Sequence, residues 1–259
     1  MTTHAEDAGG LLNATAELII AGRKIRLEMP VPAGPARLRN LLPFLRYLTD
    51  RFVDFSVENA RTEGLSVSCK KGCGACCRQL VPISAIEAWR LGEVVEQMPE
   101  PRKSTILARF EEAKRRLQAA GLLEKLREPN RIGDDEVDPT GLAYFQQGIA
   151  CPFLEDESCS IYEERPLACR EYLVVSPAEN CARPTVDSIE PVPLVVRVAR
   201  TLRALNVEKN PSTPRWVALI LALEQAEAAA RLDEAPPQPG PELVREIFGR
   251  LAERDAGNG

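Results

Sequence analysis

Two short stretches near the start of the chain, ATAELII and KIRLEMPV, alternate apolar and polar positions around Ala21-Gly22-Arg23. That pattern predicts a β-hairpin. Residues 1–12 before it read as disordered. After the break at Gly34-Pro35 the period changes: Leu38, Leu41, Leu45, Leu48, Phe52 and Phe55 recur at helical spacing from Ala36 to about Ala60, with Pro43 as a kink or restart. Pro82-Ile83-Ser84 opens another helix, in which Ser84 and Glu87 stand at capping-box spacing ahead of Ile86, Trp89, Leu91 and Val94. A long charged helix starts at Pro101 and ends at Gly121, its apolar positions being Ile106, Leu107, Phe110, Ala113 and Leu117.

The second half is less regular. NRIGDDEVDPTG, Asn130 to Gly141, reads as a loop, and Pro166 as the first residue of a helix running to about Val175. VPLVVRVARTLRAL is a helix or a strand, and a helix is expected from Thr213 to Leu232. A proline-rich linker, APPQPGP, leads to an amphipathic helix from Glu242 to Glu253. The expected fold is mainly α with a small N-terminal β-hairpin (α+β). Its expected parts are a disordered stretch at 1–12, a hairpin and helix at 13–64, a cysteine-cluster metal-binding domain at 65–182 and a helical region at 183–254. The irregular cysteine-rich centre is expected to be stapled by metal and packed among the helices.

Composition narrows the function classes. A formal charge of −5 and a pI near 5.3 argue against a nucleic-acid binder, which needs clustered Lys and Arg for phosphate. The N-terminus lacks a basic segment and carries Glu6 and Asp7, and the longest apolar run, WVALILAL, is far shorter than a membrane span. A cytoplasmic protein with no membrane partner is expected.

Eight cysteines in a reducing compartment point to metal or redox chemistry. The single histidine, His4, excludes mixed Cys/His zinc fingers, three-histidine zinc, HExxH proteases and Cys-His catalytic pairs. Cys69, Cys73, Cys76 and Cys77 form one group, in which Cys73-Gly74-Ala75-Cys76 has the spacing that lets one turn aim two sulfurs at one metal. Cys69 can reach the same ion, whereas Cys77 projects elsewhere and suits a second ion, a bridge or redox work. Cys151, Cys159, Cys169 and Cys181 are too widely spaced for a small knuckle of their own, which implies ligation between the two groups. Closing the intervening loop costs roughly 4 kcal/mol, against an apparent ~10 to 16 kcal/mol from structural zinc. Lys70, Lys71, Arg78, Arg165 and Arg170 are placed to offset thiolate charge. Glu155-Asp156-Glu157 reads as a solvated turn.

CKKGCGACC, then Cys151-Pro152-Phe153-Leu154, Cys159 before Ile161-Tyr162, Arg165-Pro166 and Cys169-Arg170-x-Tyr172, resembles the bacterial YkgJ-type cysteine-cluster family, described as zinc- or iron-chelating proteins. The resemblance covers roughly residues 65–182. It implies that the eight cysteines are a ligand pool for metal; Arg165, Arg170 and Tyr172 are expected to support them. An iron-sulfur cluster, 4Fe-4S by preference, or zinc is the expected cofactor, the dense thiols without nitrogen donors leaning toward iron-sulfur. A looser similarity to flagellin lysine-N-methylases keeps a protein-modifying enzyme open. The triplet Cys69-x3-Cys73-x2-Cys76 resembles that of radical SAM enzymes, and vicinal Cys76-Cys77 would also suit a thiol redox sensor.

Overall fold

β2 (Leu11–Ile20) and β3 (Arg23–Pro32) pair antiparallel, from Leu11 opposite Pro32 to Ile20 opposite Arg23, forming the expected hairpin. The computed structural model describes residues 2–7, 10–20, 23–185, 187–209, 211–226 and 236–255. β1 (Thr2–Asp7) pairs with the other edge of β2, which corrects the expectation of disorder for the described part of 1–12; residues 1, 8 and 9 lie outside the described set. An isolated hairpin leaves a row of unpaired N–H and C=O groups on that edge, and the preceding segment satisfies them. His4 accordingly lies in a strand, opposite Asn13.

The rest of the described chain is mainly helical: α1 (Leu42–Thr62), α2 (Ala85–Glu96), α3 (Arg102–Ala119), α4 (Leu123–Arg127), α5 (Val137–Gln146), α6 (Leu167–Glu171), α7 (Val198–Lys209) and α8 (Gly240–Asp255). Short antiparallel pairs join distant segments, β4 (Pro35–Ala36) with β9 (Gln238–Pro239) and β5 (Pro82–Ile83) with β8 (Val217–Ala218), while β6 (Leu154–Glu155) and β7 (Ser158–Cys159) form a local hairpin. Alternate residues of the sheet, Ala14, Ala16, Leu27, Met29 and Val31, bury against α1 through Leu45, Leu48 and Phe52. α7 and α8 close the same core with Leu202, Val244 and Ile247, and Phe44 meets Phe248 edge to face at 6.1 Å. The first and last parts of the chain therefore share one core.

Several local expectations change. Pro43 lies in the first turn of α1, where its missing N–H costs nothing, so it starts the helix rather than kinking it. NRIGDDEVDPTG is not a loop: it holds 3₁₀ turns at Pro129–Arg131 and Asp134–Glu136 and the start of α5, with Pro139 again in a first turn. The helix after Pro166 stops at Glu171 because Tyr172 turns extended and Val174 bridges to Pro191. Within the expected helix 213–232, residues 217–218 are a strand and Leu219–Leu221 a 3₁₀ turn, with helix at 222–226 and residues 227–232 outside the described set. Trp216 to Ala222 is buried on every side, so its apolar run carries no period that separates strand from helix. VPLVVRVARTLRAL becomes helical from Val198.

What fixes the centre is the short helix α6, which carries Cys169. Glu87 is 4% exposed and uses both carboxylate oxygens: one accepts the Ser84 N–H and hydroxyl at 2.8 Å, the other the first α6 amide, Leu167 N–H, at 2.7 Å. At the other end Glu171 accepts the Ala199 amide of α7 at 2.8 Å. Arg170, between them, is held by Asp50 of α1 at 2.7 and 2.9 Å. Five residues cannot sustain a helix alone, so these buried bonds hold it. Replacing Glu87 with Ala strands three buried donors. The expected loss is on the order of 2 to 3 kcal/mol in urea unfolding; a change below about 0.5 kcal/mol would show that the carboxylate does not secure the helix.

Candidate metal centre

Between Ser68 and Gln79 the chain makes successive tight turns. Cys73 N–H donates to Lys70 O at 3.1 Å, Cys77 N–H to Gly74 O at 2.9 Å and Gln79 N–H to Cys76 O at 3.1 Å. Gly72, at φ 87°, occupies the left-handed region that a residue with a side chain enters only with strain. The second group meets these turns backbone to backbone: Cys151 N–H donates to Cys77 O at 2.7 Å. A Cβ on Gly74 would stand 2.6 Å from Glu157 O and from Leu154 Cδ1. Gly74 is thus required by the approach of the β6–β7 hairpin.

That hairpin turns through Asp156 and Glu157, both at positive φ, consistent with the expected turn at Glu155 to Glu157. Glu157 is paired with Arg78 in a two-pronged contact at 2.6 and 3.0 Å, and Arg78 also donates to Gly74 O at 3.3 Å. The pairing draws the Glu157 carboxyl below the usual range.

The folded chain gathers the thiols around two adjoining cavities. One, of about 360 Å³, is walled by Cys69, Cys73, Cys76, Cys169 and Cys181. The other, of about 550 Å³, is walled by Cys73, Cys76, Cys77, Cys151, Cys159 and Cys169. Cys73, Cys76 and Cys169 belong to both, so residues far apart in sequence make a common partition. Among the described residues, no three His, Cys, Asp or Glu side chains stand close enough together to hold a metal ion as the chain is folded here. The fold supplies a shared wall of thiols.

Electrostatics at this wall favour the neutral thiols until something positive replaces their protons. Burial pushes up Cys69 and Cys159, raises Cys181 to about 11 and Cys151 to about 12, and drives Cys169 well above the usual thiol range. Cys76 is raised first by its hydrogen bond with the Cys77 side chain and then by burial. Arg165 acts in the opposite sense on Cys76, Cys159 and Cys169. It lines both cavities, with its guanidinium 3.7 Å from the Tyr162 ring centroid and Nε donating to Tyr162 O at 3.2 Å.

The other expected supporting residues do different work. Arg170 spends its donors on Asp50, on Arg165 O at 3.0 Å and on Glu163 O. It therefore shapes the segment bearing Arg165. Tyr172 lines both cavities, and burial raises its phenol above the usual range. Lys71 stands 4.8 Å from the Tyr162 ring centroid, and Lys70 lines both cavities. Cys69 Sγ accepts the Val174 amide at 3.4 Å, the kind of N–H···S contact that stabilises sulfur carrying negative charge. Cys181 sits buried in a 3₁₀ turn, Ala178–Ala182.

Sequence reasoning missed three contributors. Glu87 announced only its capping box, and its bond to Leu167 joins residues eighty positions apart. Asp50 looked like one polar position on the α1 stripe, and Glu171 like another surface charge. No local signal marks either.

No helix among the described residues is long and apolar enough to cross a membrane. Residues 68–186 match the family model CxxCxxCC, whose description is "Putative zinc- or iron-chelating domain". No curated protein and no solved structure matches the chain. Residues 68–186, which carry all eight cysteines, are thus similar to the CxxCxxCC family over that segment of the chain.

Proposed function

We propose that the protein binds metal through thiolates drawn from both cysteine groups, with an iron-sulfur cluster of the 4Fe-4S type as the favoured occupant and zinc as the alternative. The observation that carries this reading is the partition of Cys73, Cys76 and Cys169 shared by the two cavities. The donor set fits either group: sulfur ligands suit zinc and iron-sulfur clusters alike, and no imidazole is at hand. When bound, a cluster would supply one-electron chemistry or a Lewis-acidic iron, whereas zinc in four thiolates would be structural.

The protein's own residues prepare for such a charge. Four thiolates around zinc or an oxidised 4Fe-4S cluster carry about −2. Arg165 faces that charge from both cavities, while Arg170 and Asp50 hold its backbone in place. The amide of Val174 offers a further dipole to Cys69. Cations and amides placed before the metal arrives lower the cost of burying the anion.

Two rival readings fit less well. A thiol redox sensor needs a low-pKa thiolate, and here Cys69, Cys76, Cys151, Cys159, Cys169 and Cys181 all shift the other way. A radical SAM barrel is built from parallel strands joined by helices, and every strand pairing among the described residues is antiparallel.

Metal and acid-labile sulfide analysis of protein purified without oxygen tests the proposal. Iron with sulfide and broad absorption near roughly 400 nm identifies a cluster, and colourless protein with zinc identifies the alternative. Serine at Cys73, in the first group, or at Cys159, in the second, is expected to lower metal content and thermal stability together. Full stoichiometry in both variants would defeat ligation across the groups.

Gly74→Ala tests the approach of the two groups without removing a ligand. The added methyl is expected to push the β6–β7 hairpin away, costing about 1 to 3 kcal/mol and weakening metal retention. Unchanged retention in a chelator competition assay would show that the close contact is dispensable.

A further inference from the structure

The thiol cavity is not closed on its far side. A cleft of about 1280 Å³ lies between α5 and α7 and shares Gln79, Leu80, Tyr172, Arg200 and Arg203 with the larger thiol cavity. Its two faces differ in chemistry. α5 contributes Val137, Leu142 and Phe145, and Trp216 adds an indole; Leu142, 46% exposed, stands with them as part of one apolar wall. α7 contributes Arg200 and Arg203, three residues apart and so neighbours on one side of the helix, and both also line the larger thiol cavity.

The acids around this cleft are mostly committed elsewhere. Asp134 is paired with Arg215 at 2.8 Å and Glu208 with Arg250 at 2.5 Å, while buried Glu171 accepts the Ala199 amide. Asp138 lines both this cleft and the larger thiol cavity, so one carboxylate shares the space with Arg200 and Arg203. Arg203 is oriented by donating to Pro82 O at 3.0 Å, beside the strand that leads into α2. An apolar wall facing a row of guanidinium groups suits a molecule with both characters.

We propose that this cleft binds an organic anion, its apolar body against Leu142, Phe145 and Trp216 and its carboxylate, phosphate or sulfonate on Arg200 and Arg203. The shared lining residues bring such a ligand to the edge of the thiol wall, so its role beside a metal rests on the function proposed above. Binding itself does not. The apolar face supplies area-dependent affinity and the guanidinium groups supply a charge-assisted, two-pronged contact that a neutral molecule of the same shape forgoes.

Titration calorimetry of the full chain with anilinonaphthalene sulfonate, an apolar bicycle bearing one anionic group, tests this. One equivalent is expected to bind. Arg200→Glu is expected to weaken binding roughly tenfold or more, Leu142→Ala several-fold, and neutral N-phenylnaphthylamine to bind more weakly than the sulfonate. Thermal midpoints of both variants establish that they are folded, and because Leu142 is half exposed its variant stands even where Arg200→Glu does not fold. Equal affinity for the neutral and anionic probes, or sulfonate affinity unchanged in the folded variants, would overturn the proposal. Metal content is measured on the same samples. A metal-free chain whose sulfonate binding depends on Arg200 fails the metal reading and keeps the cleft, and a metallated chain indifferent to Arg200 does the reverse.

Discussion

A backbone hydrogen bond of 2.7 Å, from Cys151 N–H to Cys77 O, joins the two cysteine groups, and the contact survives only because Gly74 has no side chain where Glu157 O passes. Everything proposed for the thiols depends on that junction. Without it each group is a set of turns with too few sulfurs in reach. With it, Cys73, Cys76 and Cys169 stand between two cavities and every other cysteine opens onto one of them. The helical frame serves the same end. Glu87 and Glu171 secure α6, and the Arg170–Asp50 pair anchors it to a helix whose other face is the main core.

The arrangement places opposing electrostatic demands on one small volume. Burial favours neutral thiols, metal ligation requires thiolates, and Arg165 with the Val174 amide tips the balance when a cation arrives. Neighbouring ion pairs hold the frame while this happens. Glu164, for instance, resists burial and is kept ionised by Arg90 of α2 and Arg46 of α1, which ties the segment before α6 to both helices. Charges committed to the frame in this way cannot neutralise the centre, which is why Arg165, stacked on Tyr162, matters more than its count among the basic residues suggests.

Features written in local periodicity were legible in the sequence. The α1 stripe, the Ser84–Glu87 capping box, the hairpin at β2 and β3 and the long α3 all follow from spacing alone. Features created by long-range contact were not. Trp216 to Ala222 is apolar throughout, so only its pairing with Pro82–Ile83 decides that it begins as a strand. Pro139 looked like a loop residue because a proline in a first helical turn is locally indistinguishable from one in a coil. Gly74 suggested a turn, whereas its sharper constraint comes from a hairpin some eighty residues later. Cys77, whose adjacency to Cys76 had no local geometric reason, gains one from the fold: its carbonyl accepts the Cys151 N–H, and it lines only the larger cavity while Cys76 lines both.

The central claim is an all-sulfur coordination sphere assembled from both groups. X-ray absorption at the metal edge of protein purified without oxygen addresses it most directly. The expected result is a first shell of sulfur alone, at about 2.3 Å for zinc or with an added iron–iron scattering path for a cluster. A shell containing nitrogen or oxygen donors from the protein would contradict it.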